Sequence, residues 1–448
     1  MTQSFQQRAD RLHHRLLVKI AKDALHKPIV ITEGYLEPLL AETLGEGEPD
    51  FDRLRQSLQS RLLRELGTEE EIVYSDGAWI SIDPQLCTCA PEQGDCHDAC
   101  AVEAIVIDEK TGQRRIDPER CIDCGLCISA CQSQAIAAKS QCMDLVTLIR
   151  ERQQGVSVHA AVAPAFVGQL EEGVTVNQFK TALLKLGFTD VWEVAMAADV
   201  ITLQEADEYI ERTKAGEEFM ITSCCCPAFV KLVEKHRPRI AHLVSHSVSP
   251  MVALGRLLKA RQPQAKVVFI GPCLAKRAEA RQPDLADAVD LVLTFKELWD
   301  ILAAAGIDFA DCREEQVGQL HDASRDGRIY AHTGGVSEAI LRAICEREPD
   351  LEVVTTKGNG LKQCMEILKA VESGDIDANF MEGMGCPGGC VGGPGTLVPV
   401  EIAAQRVKVH SNTADFTTAS SNSRAREMLT RYLRDVHLSS RKEADVTG

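Results

Sequence analysis

Apolar positions divide the chain into three textures. Over residues 7–25 and 51–66 they recur at helical spacing, with Leu54, Leu58, Leu62 and Leu63 on one stripe. The run Gly45-Glu46-Gly47-Glu48-Pro49 breaks the pattern between them, so a small helical region is expected over 1–80. In 81–145 the apolar runs shrink to 104–107 and 135–138, each after a burst of cysteines, which is an internal repeat. Beyond Gln153, runs 156–162, 266–270, 291–294 and 351–355 predict strands. Segments 175–186, 203–215, 227–236, 249–260, 295–305, 337–346 and 360–373 predict helices, so 150–430 is expected to be a layered α/β domain. Residues 431–448 are polar and read as a frayed tail.

Composition narrows the class. At roughly 100–200 residues per domain, 448 residues make two to four domains. Acidic residues outnumber basic ones, 66 to 49, and the net charge of −17 argues against a nucleic-acid partner or an anionic membrane surface. No apolar run reaches the length of a membrane span. Residues 1–15 carry neither an apolar export core nor an Arg-Arg signal, so a cytoplasmic protein is expected. Eighteen clustered cysteines in a reducing compartment point to metal ligands rather than disulfides.

The second burst, Cys121-x2-Cys124-x2-Cys127-x3-Cys131, is the ligand run of bacterial ferredoxins. A zinc site or free thiols are the competing readings. The first burst, Cys87, Cys89, Cys96 and Cys100, keeps the last x3 step but has a longer loop, and a 3Fe-4S cluster stays open there. Ala101 and Gln132 stand where a proline usually follows the fourth cysteine. The segment resembles a two-cluster, α+β ferredoxin-like domain. That resemblance implies one 4Fe-4S cluster on Cys87, Cys89, Cys96 and Cys131 and another on Cys121, Cys124, Cys127 and Cys100.

Three further motifs lie far apart: Thr222-Ser223-Cys224-Cys225-Cys226-Pro227, Gly271-Pro272-Cys273 with Lys276 and Glu279, and Glu382-Gly-Met384-Gly-Cys386 with Cys390, Gly392 and Gly393. Glycines around Cys386 and Cys390 let the backbone approach a bulky cofactor closely. One thiolate from each of the other motifs completes four ligands for another cubane. Each of the first two motifs follows an apolar run, where α/β proteins bind ligands.

These motifs resemble those of the iron-only, or FeFe, hydrogenases, in the same order as Val162-Ala163-Pro164-Ala165, residues 184–199 and Thr333-Gly334-Gly335-Val336. The resemblance implies a two-lobed domain holding an H-cluster between its lobes: a 4Fe-4S cubane joined to a diiron unit with carbon monoxide, cyanide and azadithiolate. By position Cys226, Cys273, Cys386 and Cys390 would hold the cubane, with Cys390 as bridge. Lys276 would donate to one cyanide, backbone N–H groups near Ala163 and Pro164 to the other, and Met384 would pack beside the bridging carbonyl. Cys225 would pass protons on to Glu208, Ser245 and Glu205 in turn, the two glutamates sharing one face of a helix. The reaction implied is reversible interconversion of dihydrogen with protons and electrons, relayed to a soluble carrier such as ferredoxin, with maturation proteins building the diiron unit. A low-turnover hydrogen sensor and an iron–sulfur assembly or carrier protein without diiron unit are the alternatives.

The chain departs from the commonest pattern. Cys224 is an additional thiol, read either as a small buried residue or as one that loosens the loop so that Cys225 can shield the iron. Gly271 stands where methionine is commonest, and Val248 and Met251 replace a lysine and a glutamine, which marks a divergent subgroup. Cys312, Cys345 and Cys364 read as isolated packed thiols.

Overall fold

The computed structural model describes residues 4–45, 48–67, 79–89, 94–152, 155–313, 320–432 and 438. The chain divides into two compact units: residues 1–154 with 296–308, and residues 155–295 with 309–448. Among the described residues no helix is long and apolar enough to cross a membrane.

In the first unit, a capping box between Ser4 and Gln7 starts the helix Phe5–His26. Helix Phe51–Leu66 lies where its leucine stripe predicts. Between them the pattern missed a helix, Glu33–Leu44, because Gly34 and Pro38 read as breakers. Leu36 and Leu40 of that helix join Leu16 and Leu58 in one core. Buried Arg64 reaches from Phe51–Leu66 to the carbonyl of Ala135 at 2.9 Å, tying the helices to the cysteine-rich segment. There the apolar runs are short strands. Ile105–Ile107 pairs antiparallel with Arg114–Ile116, and Ile136–Ala138 with Ile80–Ile82. Most of the long loop of the first burst, 90–93, lies outside the described residues.

The second unit holds two parallel sheets. One runs in the order Asp190–Glu193, Val158–Val162, Lys266–Gly271, Leu291–Thr294. The other runs Thr355–Asn359, Phe380–Met384, Met220–Ile221. The strand expected at 351–355 is displaced to Thr355–Asn359. Asp190–Glu193, Met220–Ile221 and Phe380–Met384 were missed, being short or interrupted by acidic residues and glycine. Helix 203–215 is the second half of a longer helix, Val194–Lys214. Its first nine residues are all buried, so they show no polar stripe to announce a helix. The tail is not wholly frayed: the Leu438 carbonyl accepts from the Val248 N–H at 2.8 Å. The rest of 433–448 lies outside the described residues.

Candidate metal centres and proton path

The three motifs of the second unit leave the ends of parallel strands. Met220–Ile221 runs into 222–227, Lys266–Gly271 into 272–279, and Phe380–Met384 into 385–393. Two side chains outside the expected set lock these loops. Buried Ser223 takes a left-handed backbone, φ 80°, and its Oγ accepts from the Gly383 N–H at 3.0 Å, joining the first motif to the third. Buried Glu382 accepts from the N–H groups of Gly334 at 2.7 Å and Ser337 at 2.8 Å, at the start of helix Gly335–Arg347. A carboxylate at a helix N-terminus is favoured by the helix dipole, which links the Thr333–Val336 run to the third motif. A Cβ on Gly393 would come within 2.7 Å of the Pro272 carbonyl, so this glycine lets the third motif lie against the second.

The charge of Cys226 bears on both Cys273 and Cys390, and that of Cys273 bears on Cys390. Burial pushes Cys390 up to about 12, with the charges of Cys226 and Cys273 adding to it. Burial pushes Cys273 up to about 11, again with Cys226. Cys386 is half-buried on the turn that leads to Cys390, its carbonyl accepting from the Gly389 N–H at 3.0 Å. The Gly385 N–H points at Cys226 Sγ at 3.4 Å. Among the described residues no three Cys, His, Asp or Glu side chains close tightly enough around one point for a single ion. A cubane instead takes its thiolates at separate corners, and its irons supply the positive charge that buried thiolates need. An all-sulfur donor set in a glycine-lined cradle fits such a group.

Lys276 is buried and its Nζ donates to Glu279 Oε2 at 2.7 Å. Burial works against its charge, but Glu279 and the thiols of Cys273 and Cys225 outweigh it and hold the ammonium. Two of its three N–H donors remain for another acceptor. Met384 is buried at the end of its strand. The expectation for Ala163 and Pro164 needs correction. The Ala163 N–H is spent on the Ile270 carbonyl at 2.8 Å, and proline has no N–H. The next N–H belongs to Ala165, in the opening turn of the 3-10 helix Pro164–Gln169, where N–H groups lack intrahelical acceptors.

Glu205, Ser245 and Glu208 form one chain, in an order opposite to that expected. Glu205, not Glu208, lies beside the cysteines. It is fully buried, and its Oε2 accepts from Thr222 Oγ1 at 2.9 Å. Its Oε1 has no hydrogen-bond partner, although Ser245 and Cys224 lie beside the carboxyl. Burial, reinforced by the charge of Glu208, pushes Glu205 up to about 8. Ser245 Oγ donates to Glu208 Oε2 at 2.8 Å. Glu208 faces outward, where Arg212 Nη2 lies 2.7 Å from Oε1 and the His246 N–H donates to Oε1 at 3.0 Å. Burial works to raise Glu208, but the bonds from His246 and Ser245 and the charge of Arg212 hold it below the usual carboxylate range. Burial pushes Cys225 well up, with Cys390 and Cys226 adding to it. Cys224 is buried and donates to the Val248 carbonyl at 3.4 Å. Arg212, i+4 from Glu208, was legible as a helical ion pair but not singled out. Of the isolated thiols, Cys312 and Cys364 are buried as expected, whereas Cys345 is exposed.

The first unit carries two thiol groups. Cys87, Cys89, Cys96 and Cys131 line one cavity of about 240 Å³. Burial pushes Cys124 up to about 12, with Cys121 and Cys100 adding to it, and Cys127 feels all three. Each group thus draws one cysteine from the other burst.

Comparison with known proteins bears on both units. The family model described as "Iron only hydrogenase large subunit, C-terminal domain" matches residues 156–394, and "4Fe-4S binding domain" matches 114–137. The chain is 29% identical over 344 residues to the NADP-reducing hydrogenase subunit HndD of Solidesulfovibrio fructosivorans. That match takes in 64% of this chain and spans only 58% of the relative's length. It is 22% identical over 370 residues to cytosolic iron-sulfur assembly component 3 of Pongo abelii, covering 68% of this chain and 77% of that one. The fold is shared with a variant of the [FeFe]-hydrogenase HydA1 from Chlamydomonas reinhardtii, at TM-score 0.51 and 23% identity, over 62% of this chain and 90% of that one.

Proposed function

We propose that this chain, which belongs to the family of the iron-only hydrogenase large subunit, is a hydrogenase that interconverts dihydrogen with protons and electrons. Cys226, Cys273, Cys386 and Cys390 would hold the cubane of an H-cluster, with Cys390 bridging to the diiron unit and Lys276 donating to a cyanide nitrogen. When bound, that group supplies the open iron at which dihydrogen is split. The chain's own part is to move the proton. Cys225 receives it beside the cluster. Glu205, neutral near pH 7, hands its proton outward through Ser245 before taking the one from Cys225. Glu208, already ionised, accepts it and releases it to solvent between Arg212 and His246. Two 4Fe-4S clusters, one on Cys87, Cys89, Cys96 and Cys131 and the other on Cys100, Cys121, Cys124 and Cys127, would carry electrons to a soluble carrier such as ferredoxin. Maturation proteins would supply the diiron unit in the cell, where a cytoplasmic location suits a reducing, thiol-rich chain.

The similarity to an assembly component favours a second reading, an iron–sulfur carrier without diiron unit. The observation that supports the hydrogenase is the chain Glu205–Ser245–Glu208, which joins buried thiols to the surface. A cluster carrier has no proton to move. Anaerobic assembly of the full chain with synthetic diiron cofactor, followed by infrared spectroscopy and hydrogen uptake with viologen, decides between them. Carbonyl and cyanide bands with hydrogen uptake support the hydrogenase. Cubane absorption without those bands supports the carrier.

A further inference from the structure

The two thiol groups of the first unit face opposite charges. Arg114 opens the strand Arg114–Ile116, lines the cavity of Cys87, Cys89, Cys96 and Cys131, and is only 7% exposed. Its Nη1 donates to Cys87 Sγ at 3.6 Å. Pairing of Arg114 with Ile107 fixes its backbone. A Cβ on Gly94 would come within 3.2 Å of that Nη1, so a residue without a side chain leaves the guanidinium its place. The other group holds a carboxylate instead. Asp123, also 7% exposed, sits between Cys121 and Cys124, and its backbone N–H donates to Cys121 Sγ at 3.5 Å.

We propose that Arg114 sets the cluster held by Cys87, Cys89, Cys96 and Cys131 at a higher reduction potential than its neighbour, so that this cluster is where the electron rests. The inference depends on the two-cluster reading above. Reduction adds one electron and no atom; the electron arrives from the neighbouring cluster or a one-electron carrier and leaves to the other. A 4Fe-4S core with four thiolates is anionic, so the added charge is stabilised by a nearby cation and opposed by a nearby anion. Burial weakens the screening of both. Net charge and hydrogen bonds to the sulfurs are recognised levers on cluster potential, and a guanidinium stays charged throughout. Cys89 is exposed, so a soluble carrier can approach this cluster. Arg114 is a positioning residue for charge; it ligates no iron.

The test is an EPR-monitored redox titration of the full chain, with its cubane clusters assembled anaerobically and no diiron unit added. Arg114→Gln should disfavour reduction of one cluster about tenfold, or about 59 mV for a one-electron couple, and leave the other two cubanes in place. Arg114→Lys keeps the charge without the forked donor and should shift less. Asp123→Asn should raise the other cluster and narrow the gap. Midpoints unchanged in all three variants overturn the proposal, as does an equal shift of both clusters in Arg114→Gln. If Arg114→Gln cannot hold its cluster, unchanged midpoints in the other two variants still overturn it. A wild-type chain showing fewer than two cubane signals besides that of the cubane on Cys226, Cys273, Cys386 and Cys390 overturns the two-cluster reading and this inference together. Inactivity toward dihydrogen touches neither.

Discussion

Glu205 and Glu208 stand one helical turn apart on Val194–Lys214 and are held in opposite protonation states. Full burial keeps Glu205 protonated near neutral pH, while Arg212 and His246 hold the half-buried Glu208 ionised. Ser245 donates to Glu208 and lies beside the Glu205 carboxyl, so a donor and an acceptor are poised on either side of one hydroxyl.

Glu208→Gln keeps the shape but removes the outer base. Turnover in hydrogen uptake should fall by about 10²–10⁴-fold, the usual worth of a placed proton-transfer group. Infrared bands of the assembled cofactor should be unchanged. Loss of the bands would assign Glu208 to cofactor assembly instead.

Stability should depend on pH through Glu205. Its folded value, about 8, lies above the ordinary 4.5, so the folded chain holds a proton that the unfolded chain releases. Stability from this group is complete below about 4.5 and declines as pH rises toward 8. Urea unfolding of the cluster-free chain at pH 5 and pH 8 reads it. The drop between them should shrink in Glu205→Gln, and an equal drop in both proteins contradicts the assignment.

Lys276 and Glu279 are both buried, and removing one strands the other's charge. Glu279→Ala should cost about 3–5 kcal/mol in urea unfolding. Lys276→Met with Glu279→Leu should recover most of that loss, yet fail to retain the diiron unit by infrared. Retained bands would dismiss Lys276 as a cofactor ligand.

Gly271 occupies a position where the family commonly has methionine. A Cβ there would come within 2.6 Å of the Phe269 ring, so Phe269 fills that space. Gly271→Met should lose about 1–3 kcal/mol through overpacking. Adding Phe269→Ala should restore part of it by thermal unfolding. Additive losses would show that the two side chains do not compete.

Local spacing within each burst and motif made the thiols legible, although each proposed cubane draws ligands from more than one of them. The leucine stripe of Phe51–Leu66 was legible for a similar reason: one face is wet and the other dry. The helix start at Val194 was hidden, because a segment buried on every side carries no periodicity. That same burial decides which glutamate faces the thiols. The sequence by itself singled out the candidate residues: the cysteines, the lysine and the acid pair. Only tertiary packing decided their order, giving Glu205 the dry inner place and Glu208 the charged rim, setting Arg114 and Asp123 against different thiol groups, and spending the Ala163 N–H on Ile270. The reason is physical: protonation and electron affinity follow from solvent access and nearby charge, and neither exists until distant segments pack.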